Sequence, residues 1–196
     1  MRVTAPALIR APWRTTAAVR ALAALVAAAL LAPAVAAAPP RAPEVVVVSV
    51  GHDVATGFVA GDGLVVTVAH VLGPAVTVGG RRAVVLRADR RLDLAVLRVA
   101  GVEGERPRVG QARATVVRVP DGTRPAPTVR RIRARVDGLR RPALEIRAEI
   151  AAGHSGAPVL TPGGRLAGVV FARSRSRPRT AYAVDAAALT PLLEGL

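Results

Sequence analysis

Three side chains of this sequence could together open an acyl bond. His70 closes the run Leu64-Val-Val-Thr-Val-Ala69, Asp93 opens the run Asp93-Leu-Ala-Val-Leu-Arg-Val99, and Ser155 stands in Gly153-His-Ser-Gly-Ala-Pro158. A hydroxyl becomes a nucleophile when a neighbouring base takes its proton. An imidazole is the side chain best suited to that task near neutral pH, and it needs a carboxylate to fix its tautomer. His70, Asp93 and Ser155 supply base, orienting acid and nucleophile, in that order along the chain.

Each residue has a competing reading. Gly153-His-Ser-Gly-Ala157 also matches the nucleophile elbow of the α/β-hydrolases, but that arrangement needs a His after the Ser, and no His follows Ser155. Asp89 lies four residues before Asp93, within the Arg-rich turn Asp89-Arg-Arg91, and reads as a solvated turn residue. His52 and Asp53 follow Gly51 in a turn and receive no role. His154 adjoins the nucleophile, yet its side chain is expected to point away from the line of attack. With no Cys and no pair of His at helical ligand spacing, neither a metal site nor a cofactor is expected.

The elements that must position these residues read as short strands. Val45–Val50, Ala55–Ala60, Leu64–Val68, Ala75–Val78, Ala83–Leu86 and Leu94–Val99 are Val-rich runs separated by Gly, Asp and Pro turn signals. A second set follows a loop at Gly101–Gly110: Ala114–Val119, Thr128–Val136, Ala143–Ile150, Ala157–Leu160, Leu166–Ala172 and Ala181–Val184. The chain closes on a short helix with Asp185 as its N-cap. The expected fold is all-β, two six-stranded antiparallel β-barrels with a short C-terminal helix. Barrel one would span about 44–100, barrel two about 111–184 and the helix about 185–194.

Residues 1–36 read as a targeting segment. They carry Arg2, Arg10, Arg14 and Arg20 with no acid, then an apolar run from Ala21, and Ala34-Val-Ala36 is a cleavage signal of the A-x-A type. Cleavage after residue 36 is expected, with an uncleaved membrane anchor as the alternative. Either outcome places residues 44–196 outside the cytoplasm, as a secreted or extracytoplasmic domain, after a Pro/Ala-rich leader at 37–43.

The motifs Ala55-Thr-Gly-Phe-Val-Ala60, Thr67-Val-Ala-His70, Asp93-Leu-Ala-Val-Leu97 and Gly153-His-Ser-Gly-Ala-Pro158 resemble, in collinear order, those of the chymotrypsin-fold (trypsin-like) serine proteases. The resemblance is strongest to the bacterial branch that includes the HtrA-type proteases, and it covers the protease domain alone, about residues 45–195. It implies that Ser155 attacks the scissile carbonyl, His70 acts as base and then acid, and Asp93 orients His70. It also implies that the backbone N–H groups of Gly153 and Ser155 form an oxyanion hole. Gly153 suits that role physically, since such a turn often demands a conformation only Gly tolerates. By the same resemblance Glu149, Ile150, Val170 and Phe171 line the substrate pocket. Glu149 is expected to pair structurally with a nearby Arg, and the pocket to be apolar and of small-to-medium size. Two positions depart from the family pattern, His154 where Asp or Asn is usual and Ala157 where Gly is usual.

Composition bounds the partners. The chain has 28 basic residues, all Arg, against 13 acids, for a net charge of +15. Its lack of Lys and Asn fits a GC-rich coding bias, which accounts for part of the basic excess. Six Arg crowd positions 130–141, and Arg173, Arg175, Arg177 and Arg179 alternate through a loop. A solvated face is the first reading of both clusters, and attraction to anionic envelope polymers or lipid headgroups the second. No nucleic-acid motif accompanies them, so specific nucleic-acid binding is not expected. The function expected is a secreted serine endopeptidase acting on protein or peptide substrates. The alternative is a catalytically inactive basic binding domain of the same fold at the cell envelope.

Overall fold

A computed structural model describes residues 41–196 except 112, 114, 137 and 138. The targeting segment expected at residues 1–36 and most of the leader therefore lie outside the described residues. β-Branched residues are stiff at χ1 and pack well on a pleated surface, so the Val-rich runs fold as strands. The first six, β1 (Val45–Val50), β2 (Asp53–Gly61), β3 (Leu64–Thr67), β4 (Val76–Val78), β5 (Arg81–Asp89) and β6 (Leu94–Val99), close into an antiparallel barrel in the order β1-β2-β3-β6-β5-β4.

The second half differs from expectation in one strand and in closure. β7 (Thr115–Val119), β8 (Gly122–Ala126), β9 (Val129–Val136), β10 (Leu139–Ile146), β11 (Pro158–Leu160), β12 (Leu166–Arg173) and β13 (Ala181–Asp185) form a seven-stranded sheet in the order β8-β7-β11-β12-β13-β10-β9. The additional strand, β8, carries Pro125 opposite Val116. Proline has no N–H to give a ladder and is tolerated at a sheet edge, which is where β8 lies. Among the described residues no ladder joins β8 to β9, so the sheet is open along that line. Both halves are nonetheless antiparallel, and the fold is chymotrypsin-like.

Three apolar clusters hold the molecule together. One fills the barrel around Val48, Val65, Leu97 and Val99. Another packs the second sheet around Val117, Ile146, Val159 and Val170. The third lies between the halves, joining Phe58, Leu64, Val66 and Leu94 to Leu160, Leu166, Val169 and Val184. The C-terminus closes over this third cluster. The Asp185 carboxylate accepts the Ala187 N–H at 3.1 Å and starts a 3-10 turn, Ala186–Leu189, followed by one α-turn, α1 (Thr190–Leu193). Ala186, Leu189 and Leu193 are buried in that tail. Among the described residues no helix is long and apolar enough to cross a membrane.

Phe58 is fully buried where the two halves meet. Phe58→Ala should lower the unfolding free energy by about 3–5 kcal/mol in urea denaturation. A loss below about 1 kcal/mol would mean that the shared cluster does not couple the halves.

Candidate active site

His70 lies in a 3-10 turn, Ala69–Val71, that follows β3, and Asp93 immediately precedes β6, the strand paired with β3. The ladder thus brings the two residues together across 23 positions of sequence. The Asp93 carboxylate accepts twice from His70, from the backbone N–H at 2.8 Å and from ring Nδ1 at 2.7 Å. A carboxylate facing Nδ1 favours the tautomer that carries its proton there. Asp93 is buried and holds a left-handed backbone with φ of 60°. Aspartate tolerates this better than most side chains, and the surrounding bonds must sustain it. Asp89 is used differently. Its carboxylate accepts the N–H groups of Arg91 and Leu92 at 2.8 and 2.9 Å, closing the turn before β6.

Ser155 is the second residue of the later of two turns that share His154. The His154 N–H donates to the Ala151 carbonyl at 3.3 Å, and the Ala157 N–H donates to the His154 carbonyl at 3.1 Å. The third residue of each turn is a glycine at positive φ, Gly153 at 86° and Gly156 at 91°, the conformation that a type II turn demands there. Among the described residues, neither the Gly153 nor the Ser155 N–H meets a protein acceptor.

This loop belongs to the second half, but it is fastened to the first. The Thr56 N–H of β2 donates to the Ser155 carbonyl at 2.7 Å, and the Thr56 hydroxyl donates to the Gly153 carbonyl at 2.7 Å. The Thr67 hydroxyl of β3 in turn holds the Thr56 carbonyl at 2.8 Å. Both threonines are fully buried. Gly156 presses so close that a Cβ there would stand 1.8 Å from the Thr56 carbonyl oxygen. Thr56 and Thr67 received no role from sequence. The available signal was a polar residue within each of two apolar strands, a position where an unpaired hydroxyl would be costly.

His154 has both ring nitrogens facing the second half of the chain. Its ring is nearly buried, Nδ1 accepts the Ala151 N–H at 3.2 Å, and Nε2 faces an Asp121 oxygen at 3.5 Å. Burial holds the imidazole below its ordinary pKa. Asp121 opposes that shift and Arg124 adds to it. Burial wins because Asp121 is largely exposed and already paired with Arg124. The methyl of Ala157, the other departure from the family pattern, is fully buried in the core of the second sheet.

Of the four residues expected in a substrate pocket, Glu149 and Ile150 line a cavity of about 330 Å³, with Ala148 on the same side. Its other wall is Arg173, Ser174 and the segment Arg177–Thr180. Val170 and Phe171 are core residues, each almost fully buried, in the clusters beneath. Glu149 is exposed, and among the described residues no Arg lies within ion-pair distance of it, in contrast to the pairing expected. Glu145 is the acid that does pair, with Arg130 at 3.2 Å and with Arg177 at 2.5 Å. Among the described residues no group of three or more His, Asp or Glu could hold a metal ion.

With this geometry in view, residues 55–169 match the model of the trypsin-like peptidase domain. Among solved structures, the Rv3671c protease of M. tuberculosis in its active form is 28% identical. That match covers 81% of this chain and 82% of the other, with a TM-score of 0.65. The MamO protease domain of Magnetospirillum magneticum, 21% identical over 80% of this chain and 97% of its own, shares the fold with a TM-score of 0.62. The HtrA-type protease AlgW, solved with a tripeptide, does so at 18% identity over 76% of this chain and 58% of its own, with a TM-score of 0.60. No protein of curated function matches the sequence.

Two outcomes test this architecture. Gly156→Ala should cost about 2–4 kcal/mol of stability, because the methyl meets backbone and the φ is left-handed. An unchanged urea midpoint would show that the loop is not pressed on Thr56. The second concerns pH. Folding keeps His154 neutral below its ordinary pKa, so as pH falls through about 6.5 the unfolded chain gains a proton that the folded chain refuses. Stability should therefore drop on going from pH 8 to pH 5 by more in the wild type than in His154→Gln. Equal drops in the two proteins would remove His154 as the cause.

Proposed function

The chain belongs to the trypsin-like peptidase family, and from that premise we propose that it is a serine endopeptidase with Ser155 as nucleophile, His70 as base and Asp93 as the orienting acid. The observation that carries the reading is the double acceptance of His70 by Asp93. A carboxylate engaged in this way fixes the tautomer that leaves Nε2 basic, which is what a neighbouring hydroxyl needs.

The steps follow from the side chains. As the Ser155 Oγ bonds to the scissile carbonyl carbon, its proton passes to His70 Nε2 and the carbonyl oxygen becomes an oxyanion. The Gly153 and Ser155 N–H groups donate to that oxyanion, and Asp93 steadies the imidazolium charge. Collapse of the tetrahedral species breaks the C–N bond, and the His70 proton leaves with the departing amine. Water then attacks the acyl-enzyme, giving its proton to His70, and the proton returns to Ser155 Oγ as the acid product departs. The backbone donors are worth several kcal/mol of transition-state stabilisation when correctly aimed, on the order of 3 each. An extracytoplasmic location is part of the proposal and rests on the targeting character of residues 1–36.

A fluorophosphonate probe tests the nucleophile without knowledge of the substrate. Intact mass should show one adduct on the wild type and none on Ser155→Ala. His70→Ala should slow labelling by at least about a thousandfold. Equal labelling of wild type and Ser155→Ala, or none on a folded wild type, would overturn the catalytic assignment.

A further inference from the structure

The cavity beside the Ser155 loop has a charge that the expected apolar pocket would not have. One of its walls is joined to the nucleophile loop through the chain and the other through backbone hydrogen bonds. Ile150 precedes Ser155 by five residues in the chain. On the other side β12 passes directly under the loop, with the Gly156 N–H donating to the Val170 carbonyl at 2.7 Å and the Val170 N–H donating to the Ala157 carbonyl at 2.9 Å. Arg173 ends that strand three residues later, about 10 Å further along. The cavity is thus tied to the Ser155 loop through the chain on one side and through the β12 ladder on the other.

The cationic wall is held in shape. The Ser174 N–H donates to the Thr180 carbonyl at 2.8 Å, and the Arg177 N–H donates to the Ser174 hydroxyl at 3.0 Å, which closes the loop between them. The Arg177 guanidinium is committed to Glu145 and to the Tyr182 hydroxyl. Arg177 is thus a neutralised strut. Arg173 and Arg179 are not so used, since among the described residues no acid lies within ion-pair distance of either. Arg179 also holds a left-handed backbone, φ 54°, unusual for a long side chain and the kind of local strain that ligand clamps carry. The one carboxylate of the lining is the exposed Glu149.

We propose that this cavity is the specificity pocket for an acidic substrate side chain, Glu or Asp on the acyl side of the scissile bond, recognised by Arg173 and Arg179. The proposal rests on the catalytic reading of Ser155. Charge-assisted, forked hydrogen bonds from guanidinium to carboxylate supply both the affinity and the discrimination. The preference also suits the chain's own composition. A protease that favoured basic side chains would face 28 cleavable positions in itself, against 13 acidic ones.

The test uses the full-length chain with chromogenic tetrapeptides that differ only in the last residue before the leaving group: Glu, Asp, Gln, Leu or Arg. The expected result is a kcat/KM for Glu at least about tenfold above that for Gln and above those for Leu and Arg. In Arg173→Gln and in Arg179→Gly, which keeps the left-handed backbone accessible, the Glu-to-Gln ratio should fall toward one. Glu149→Gln should raise it. Leu, Gln or Arg cleaved as well as Glu, or a ratio untouched by both Arg substitutions, would overturn the pocket assignment. Fluorescence anisotropy on Ser155→Ala with labelled, C-terminally amidated tripeptides ending in Glu or Gln reads the pocket apart from catalysis. Tighter binding of the Glu peptide supports the pocket even if the probe fails to label Ser155, and equal binding overturns it even if labelling succeeds.

Discussion

The structure depends on the fastening of the Gly153–Gly156 loop to Thr56. His70 and Asp93 belong to the half that forms the closed barrel and Ser155 to a loop of the second half, so the proposed chemistry requires the two halves to keep one register. Apolar packing between them is non-directional and fixes distance better than alignment. The two Thr56 donors supply alignment, because they grip the carbonyls on both sides of His154. The Thr67 hydroxyl completes the chain of bonds by satisfying the Thr56 carbonyl. With both threonines buried, water offers no substitute for any of these bonds, and losing one leaves a partner unpaired in the interior. The same close approach explains Gly156, whose missing side chain is a requirement of packing as much as of φ.

The His70–Asp93 pair obeys a related economy. Burying a carboxylate is costly unless its oxygens accept hydrogen bonds, and here one residue supplies two donors. Because one donor is His70's own backbone N–H, the carboxylate fixes both where His70 sits and how its ring is turned. The left-handed backbone of Asp93 is the cost of that aim. It lies at the mouth of β6, where six ladder-paired residues can absorb it.

What the sequence made legible was local and apolar. Val-rich runs and turn glycines marked the strands, and the order of His70, Asp93 and Ser155 marked the candidate site. β8 escaped because Gly122-Thr-Arg-Pro-Ala126 has neither an apolar alternation nor an uninterrupted set of donors. It is a strand only through its partner β7. The helix expected from Asp185 is a 3-10 turn, Ala186–Leu189, followed by a single α-turn, Thr190–Leu193. The role of Thr56 was not legible, because its hydroxyl bonds a carbonyl 97 residues away along the chain. The pairing of Glu145 with Arg130 and Arg177, in place of Glu149, is likewise a matter of which strand edge faces which loop.

The arginine excess separates, in three dimensions, into residues with structural work and residues without it. Arg87 donates to the carbonyls of Leu192 and Glu194 and ties the C-terminal turns to the barrel. Arg81 donates to Gly101, Arg124 pairs with Asp121 and Arg131 with Asp185. Exposed pairs of this kind contribute little stability singly, about 0–1 kcal/mol, and serve mainly to orient chain ends and turns. A compositional drift toward Arg would scatter such residues over the surface without regard to shape. Arg173 and Arg179 differ in that both line one cavity, Arg173 at the end of β12 and Arg179 on a left-handed backbone within a hydrogen-bonded loop. Drift can supply the residue type, but it does not by itself produce the backbone that aims it.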